Sequence, residues 1–586
     1  MQAHRRSGPR RLRRTRRRSL DTSAAGCRKR VAGVSGDSEI LLVVAPPFDG
    51  LQQPRHSVLV LAHRSRGFAG PLGYCMSCKG VASDVMPTRP LALEIRERGV
   101  AFDAASPSRV TVYAATMDEL RQPLQRAVEL IAAHREGLAA ARVAPISSRD
   151  EVAASLAQAL PEDPSPPEAV IEELVSGAQP GLMASAGPRY FGFVIGGSVD
   201  AALVADMLTV GWDQCAFNAA LSPAALAFEE VAGSWLKELL HIPASASVGF
   251  VTGGQAANTV GLAAARWQVL QRHGWDVGRD GLRGAPQVRV LAGAERHATV
   301  DRTLRLLGLG ERALEEVPAT PPGAMDPEAV AAALTSGPAG PTIVCAQSGN
   351  VNTGACDDLK AIGAAARAAG AWLHVDGAFG LWAAASPSTY SLVEGLELAD
   401  SWACDGHKWL NVPYDAGYAF CADPNVHATA MAYTASYLTG QVAGRTFGGG
   451  DFVPESSRRA RGFATWAAIR SLGRTGIAEL VDRCCRLARR FGERLDALEG
   501  VEVVNDVVLN QVLFRIGDGD LTDRVERRVQ EDGTCWLGAT TWRGERLLRI
   551  SVSNWSTTEA DVDLSVEAIA KTRAAVLAET TGRRAS

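Results

Sequence analysis

One aspartate and one lysine are placed to do chemistry together. Asp376 closes the run His374-Val375-Asp376, with Gly377-Ala378-Phe379 after it, and Lys408 follows 32 positions later within Asp405-Gly406-His407-Lys408-Trp409. The apolar run ending at Asp376 reads as a strand, and in open parallel sheets ligand sites gather at the carboxyl ends of strands. A carboxylate there can hold a pyridinium nitrogen protonated. A lysine at the end of a nearby strand can form a Schiff base with a carbonyl cofactor. Alone, Asp376 would pass for a helix cap and Lys408 for a stray charge; the pair does not.

Three further segments fall at predicted strand ends. Thr252-Gly253-Gly254-Gln255 lies between a strand and an amphipathic helix. Its glycines permit close backbone approach, and free amides at a helix start make an anion site. No Walker lysine and no G-x-G-x-x-G is present, so a monophosphate fits better than a nucleotide. His297 follows the next strand, where an imidazole can stack on a flat ring; a histidine satisfied in its loop is the plainer reading. In the polar loop Gln347-Ser348-Gly349-Asn350-Val351-Asn352-Thr353-Gly354-Ala355-Cys356, Asn352 and Thr353 could reach a phenolic oxygen or a substrate carboxylate.

The elements that must position these residues alternate. Apolar runs predict strands at 248–252, 288–292, 342–346, 371–375 and 401–404, with helices at 255–272 and 359–369 between them. Such alternation argues for an α/β, mostly parallel sheet covered on both faces. After Gly462 the pattern gives helices at 463–472 and 477–498, strands at 501–504, 511–516 and 547–553, and a helix near 521–532: a smaller α+β domain. From Met117 to about Ala178 the pattern is helical, broken by Pro161, Pro164, Pro166 and Pro167.

Composition adds boundaries. The 586 residues carry 61 basic and 64 acidic side chains, a net charge of −3. Residues 1–116 hold 20 basic and 8 acidic side chains (+12), which leaves 41 and 56 (−15) for the rest. The Arg-rich leader reads as a transit-type segment, as a basic arm for nucleic acid or an anionic surface, or as upstream sequence translated from a start set too early. The third accounts for the abrupt change at Met117, where Leu120, Leu124, Val128 and Ile131 open a clean helical period. No apolar run is long enough to cross a bilayer, so no membrane partner is expected. The eleven cysteines are odd in number and without framework spacing, which predicts reduced thiols in a cytoplasmic setting. Cys75-x-x-Cys78 could be half a zinc site with Cys27, His56 or His63 nearby, but no second pair follows and no metal is expected. Six lysines against 55 arginines look like GC-rich coding.

In their order along the chain these motifs closely resemble the group II pyridoxal-phosphate-dependent amino-acid decarboxylases. They are Thr-Gly-Gly, His297, Gly-Asn-Val-Asn-Thr-Gly, His-Val-Asp-Gly-Ala-Phe and Asp-Gly-His-Lys-Trp. The resemblance runs from about Met117 to Arg573 and takes in Gly187-Pro188-Arg189-Tyr190-Phe191-Gly192-Phe193, Ser457-Arg458-Arg459-Ala460-Arg461 and Leu548-Arg549-Ile550-Ser551-Val552-Ser553-Asn554-Trp555. It implies the aspartate-aminotransferase fold (fold type I) and pyridoxal phosphate held as an aldimine on Lys408. Asp376 would pair with the ring nitrogen, and His297 and Ala378 would pack on opposite ring faces. Gly254, Gln255 and His407 would lie around the phosphate, and Asn352 would be in reach of the cofactor. It also implies a homodimer. The expected plan is a leader (1–116), a helical segment packing on the dimer partner (117–200), a large α/β domain (201–430), a loop with a small α+β domain (431–575) and a tail (576–586).

Departures from the family pattern bear on the reaction. Characterised aromatic decarboxylases of this family present a mobile-loop tyrosine that reprotonates the substrate carbon. The comparable stretch here is Arg445-Thr446-Phe447-Gly448-Gly449-Gly450, and Phe447 cannot donate a proton; Tyr433 or Tyr437 would serve only in another register. Cys215 and Val351 stand where asparagine and threonine are usual. Phe447 and Arg549 are the candidate substrate contacts, Arg549 as a carboxylate clamp. Decarboxylation of an L-amino acid is the expected activity. The rivals are an aminotransferase or decarboxylation-dependent oxidase on the same fold, and a non-enzymatic binding protein with its tail on nucleic acid.

Overall fold

The computed structural model describes residues 38–44, 59–65, 117–157, 159–432 and 448–585. The chain divides into two units, Met1–Thr111 and Val112–Ser586. In the first, β1 (Ser38–Val44) and β2 (Leu59–Ser65) pair antiparallel, with Leu42 opposite Leu61 and Ile40 opposite His63. The sequence shows no sustained period there, and this pairing was not foreseen. Cys75 and Cys78 lie outside the described residues.

The second unit opens with α1 (Met117–Gly137), α2 (Arg149–Leu156) and α3 (Pro167–Ala178). Ser148 and Glu151 close a reciprocal capping box on α2. Pro167 starts α3, where its missing N–H leaves no bond unmade. Then come α4 (Asp200–Trp212) and α5 (Pro223–Leu239).

The large sheet has seven strands: β3 (Ser247–Val251), β4 (Arg289–Gly293), β5 (Leu314–Val317), β6 (Thr342–Gln347), β7 (Trp372–Asp376), β8 (Ser401–Asp405) and β9 (Gly417–Cys421). Their spatial order is β3-β9-β8-β7-β6-β4-β5, and β9 alone runs against the others. Helices α6 (Gly254–Arg272), α7 (Val277–Asp280), α8 (Ala298–Leu306), α9 (Pro327–Ser336), α10 (Leu359–Ala368) and α11 (Pro424–Met431) fill the connections. All five predicted strands exist to within a residue or two. Strands β5 and β9 were not anticipated: β5 is a short edge strand carrying two charges, and β9 follows Lys408 too closely to show a period of its own.

A four-stranded antiparallel sheet follows, in the order β10 (Val501–Val503), β11 (Gln511–Ile516), β13 (Glu545–Ser551), β12 (Gly538–Trp542). It is flanked by α12 (Gly462–Asp496), α13 (Gly519–Asp532) and α14 (Glu559–Ala585). Helix α12 breaks at Gly473, whose φ of 63° lies in the region glycine tolerates best; the predicted gap between residues 472 and 477 falls there. In the core of this unit, Trp372, Trp382, Trp402 and Trp409 are fully buried. The Trp382 indole N–H donates to the Asp405 carbonyl (2.9 Å), which ties the core to the segment bearing Lys408.

Candidate active site

The carboxyl ends of β3, β4, β6, β7 and β8 point to one edge of the large sheet and carry Gly253-Gly254, His297, the 347–356 loop, Asp376 and Asp405–Lys408 respectively. Asp376 is buried, and both its oxygens are engaged. Oδ1 accepts from the Ala378 N–H (3.2 Å), and Oδ2 accepts from the Asn258 amide (2.9 Å) and the Thr299 hydroxyl (3.3 Å). Behind it runs a buried polar chain. The Trp372 indole donates to the Ser401 hydroxyl (2.9 Å), Ser401 meets His374 Nδ1 (2.8 Å), and His374 Nε2 meets Asn258 Oδ1 (2.9 Å). One proton assignment satisfies every member: Ser401 donates to Nδ1 and Nε2–H donates to Asn258, whose amide then faces Asp376. Burial pushes the His374 pKa down to about 4, so the ring stays neutral at ordinary pH.

Lys408 Nζ lies 2.8 Å from Asp405 Oδ2. The other oxygen, Asp405 Oδ1, is buried without a hydrogen-bond partner, and His407 Nε2 is 3.6 Å away, beyond hydrogen-bond reach. His407 is itself buried, which lowers its pKa. The chain from Phe193 to Gly197 crosses over this segment. A Cβ on Gly196 would sit 1.7 Å from the Lys408 carbonyl oxygen, so only glycine lets the two backbones pass.

His297 caps α8: the Thr299 N–H donates to Nδ1 (3.3 Å), and its own backbone N–H donates to Gln347 Oε1 (3.1 Å). His297 is exposed to solvent, with protein packed around it. That surrounding lowers its pKa, with Asp376 raising it and Lys408 and Arg549 lowering it further. His297 is thus within electrostatic reach of both predicted partners. Gln347 is held in turn by buried Asp357, which accepts from the N–H groups of Gln347 (2.7 Å) and Met325 (2.6 Å) and whose pKa burial raises to about 6.

Helix α6 starts at Gly254 and no side chain caps it, so its first-turn N–H groups are left for a ligand. A Cβ on Gly254 would lie 2.9 Å from Asp405 Oδ2 and 3.4 Å from the Ala378 Cβ, so this turn, Ala378 and Asp405 form one wall. Gln255 turns inward instead, donating to Thr303 (2.9 Å) and leaving its Oε1 buried without a partner. An uncapped helix start, a primary amine and a carboxylate fixed as an acceptor together match the phosphate, carbonyl and ring nitrogen of pyridoxal phosphate.

Other predicted residues are placed differently. Asn352 is engaged by the Thr540 hydroxyl of the small sheet (3.1 Å), and Thr353 spends its hydroxyl on the Pro322 carbonyl (2.7 Å). Arg549 reaches in from β13, donates to the Val351 carbonyl (3.0 Å) and has no carboxylate partner among the described residues. Arg189 is an anchor, donating to the carbonyls of Ala139, Ala141 and Thr534. Arg458 forms a buried two-pronged pair with Glu229 (2.6 and 2.7 Å). Cys215 Sγ donates to the Ser456 carbonyl (3.6 Å). Phe447, Tyr433 and Tyr437 lie outside the described residues. Sequence reasoning missed Asn258, Thr299, Ser401 and Gln347. Asn258 alone left a signal, a polar residue one turn beyond Gly254 in an apolar helix.

Residues 150–517 match the family described as the pyridoxal-dependent decarboxylase conserved domain. The chain belongs to that family. Tryptophan decarboxylase 1 of Oryza sativa subsp. japonica is 27% identical over 486 residues, 78% of this chain and 94% of that protein. The 4-hydroxyphenylacetaldehyde synthase of Rhodiola rosea is 26% identical over 416 residues, 68% of this chain and 83% of that one. Among solved structures, Oryza sativa TDC with PLP and tryptamine superposes with a TM-score of 0.74 at 25% identity, over 80% of this chain and all of that one. As a pyridoxal-dependent decarboxylase the chain has the aspartate-aminotransferase-like fold expected of it, takes pyridoxal phosphate as its cofactor, and is a carboxy-lyase acting in amino-acid metabolism.

Proposed function

We propose that the protein converts an L-amino acid with an aromatic side chain to the amine and carbon dioxide, with Lys408 as the residue that holds the cofactor covalently. The observation carrying this is the gathering of Lys408, His297 and a fully engaged Asp376 at one sheet edge. Pyridoxal phosphate supplies, when bound, the sink for the electron pair left as the Cα–carboxylate bond breaks. The chain's own residues do the rest. Asp376, with Asn258, Thr299 and Ala378 donating to it, remains an acceptor and would hold the ring N–H. Neutral His297 would offer its flat face to the ring, with Ala378 on the other side. The uncapped start of α6 would hold the phosphate through the backbone of Gly254 and Gln255, with His407 beside it. Asp405 would steady the Lys408 ammonium whenever the lysine is free, and Arg549 would orient the incoming carboxylate.

Support for an aromatic side chain comes from rings in the segments next to Lys408: the 190–193 stretch leads into Gly196, which meets the Lys408 carbonyl, and Tyr414 packs on the neighbouring His407. Tyr190 and Phe193 stack on Trp536 with centroids 5.0 and 5.5 Å apart, and Tyr414 packs on His407 at 4.3 Å. Burial pushes both tyrosine phenols up to about 12, so they stay neutral. The test is a panel of the common L-amino acids, scored for carbon dioxide, amine, keto acid and oxygen uptake. Amine and carbon dioxide in equal amounts from aromatic substrates are expected. A keto acid formed only with an amino acceptor would overturn decarboxylation.

Phe447 favours a second reading, decarboxylation-dependent oxidation. Substrate, oxygen and water would give aldehyde, carbon dioxide, ammonia and hydrogen peroxide, so oxygen uptake separates the two. A homodimer is part of the proposal, supported by the exposed apolar faces of α1 (Leu120, Leu124, Val128) and α4 (Val204, Leu208); a monomeric mass by light scattering would refute it. A cytoplasmic location is supported by the eight described cysteines, all free thiols. No helix among the described residues is long and apolar enough to cross a membrane.

A further inference from the structure

Away from the sheet edge, a cleft of about 510 Å³ opens between α12 and the turn from β13 into α14. Four arginines of α12 line it: Arg483, Arg486, Arg489 and Arg490. Two are answered. Arg490 pairs with Asp563 (2.7 Å) and Glu559 (3.4 Å), with Glu493 adding to the field on it, and Arg486 pairs with Glu479 (2.9 Å). Arg489 and Arg483 have no carboxylate within 4 Å among the described residues. Arg483 donates only to the Trp555 carbonyl (2.5 Å), and its Nε–H is buried without a partner. The cleft's hydroxyls are turned away from any guest. Ser556 donates to Asn554, Thr557 to the Pro188 carbonyl and Thr558 to Asp561. The donors left for a guest are therefore guanidinium groups, whose forks match phosphate oxygens.

We propose that this cleft binds a phosphate-bearing small molecule of two or more negative charges, and that the site communicates with the active site. The volume is in the range of small-ligand sites, and Arg483 and Arg489 offer two guanidinium forks to the guest, with Glu493 and Glu559 the carboxylates that also line the cleft. The link runs through Trp555. Its carbonyl takes Arg483, and its N–H donates to Asn411 Oδ1 (2.9 Å). The Asn411 amide in turn donates to the carbonyls of Trp409 (2.9 Å), Ser553 (2.9 Å) and Lys408 (3.4 Å). An anion drawing on the Arg483 guanidinium competes with the Trp555 carbonyl for it, two residues from the backbone of Lys408.

Calorimetric titration of the enzyme saturated with pyridoxal phosphate, in phosphate-free buffer at fixed ionic strength, tests the site. The probes are pyrophosphate, inorganic phosphate and a nucleoside monophosphate. Saturable binding of one pyrophosphate per chain is expected, weakened about tenfold or more by Arg489→Glu. Arg489 is exposed and has no ion pair among the described residues, so the variant should keep the wild-type circular dichroism and cofactor spectrum; Arg483→Gln provides a second, independent loss. Phosphate and the monophosphate distinguish a free ion from an esterified group. Absence of saturable binding, or binding untouched by both substitutions, overturns the site. Pyrophosphate should also shift the cofactor absorption band in wild type and not in Arg489→Glu; binding with no spectral change overturns the link to Lys408.

Discussion

Two carboxylates stand at the same sheet edge, on adjacent strands, and their surroundings differ. Asp376 has donors on both oxygens and a buried chain from Trp372 to Asn258 that orients them. Asp405 has a tightly held backbone, its N–H bonded to the Ala378 carbonyl and its carbonyl to the Trp382 indole, but only Lys408 on its carboxylate and one oxygen unpartnered. A buried carboxylate with a full set of donors is a fixed acceptor, whereas one with a single cationic partner depends on that partner's state. The Asp376 side is built to hold a charge in place. The Asp405 side has a single partner, Lys408, to answer its carboxylate.

The comparison breaks most severely at Lys408. Lys408→Ala removes the amine that the Asp405 side serves, and a fall in turnover on the order of 10³-fold or more is expected. The visible band of the purified enzyme should disappear, and borohydride should no longer fix pyridoxal phosphate to the chain. A retained band that borohydride fixes elsewhere would move the role to another lysine.

Next come the carboxylates themselves. Asp376→Asn keeps the volume but removes the charge, and a loss of about 10²-fold in turnover is expected with the cofactor still bound. Asp405→Asn should cost less, roughly tenfold, since Lys408 loses a partner rather than the reaction losing its acceptor. Steady-state kinetics and the cofactor content of the two variants decide it. Equal losses in both would mean that the contrast between a fixed and a yielding carboxylate is wrong.

How much of this was legible in the chain depends on what kind of contact is asked about. The ends of β3, β4, β6, β7 and β8 could be read because each apolar run stops at a polar or glycine-rich turn, which is local information. Lys408, Asp376 and His297 stand out in the sequence for the same reason. Asn258, Thr299 and Ser401 were not, because their value lies in the sheet order: Ser401 on β8 meets His374 only because β7 and β8 are neighbours. Strand β12, Gly538–Trp542, was missed because two threonines, an alanine and a glycine show no apolar alternation; it is a strand because β13 pairs with it. Arg549 was legible as a residue type, but its approach to His297 from the small sheet was not.

The smallest effect expected at neutral pH concerns the chain behind Asp376. His374 has a folded pKa of about 4 against an ordinary value of 6.5 because its ring is buried. The unfolded chain therefore binds this proton first as the pH falls. Unfolding free energy should decline as pH drops from 6.5 towards 4 and level off below that, while above 6.5 the group contributes no pH dependence. A span of this size corresponds to about 3 kcal/mol. His374→Gln carries no titrating ring, so the difference between wild type and variant in denaturant midpoint should change with pH inside that window and stay constant above it. The variant also isolates the orienting role: with the Asp376 carboxyl kept but Asn258 free to turn, turnover at pH 7.5 should fall only a few-fold. A pH-independent difference would mean that His374 is solvated or charged in the folded enzyme. The contrast with Asp405, which has no such chain behind it, would then lose its physical basis.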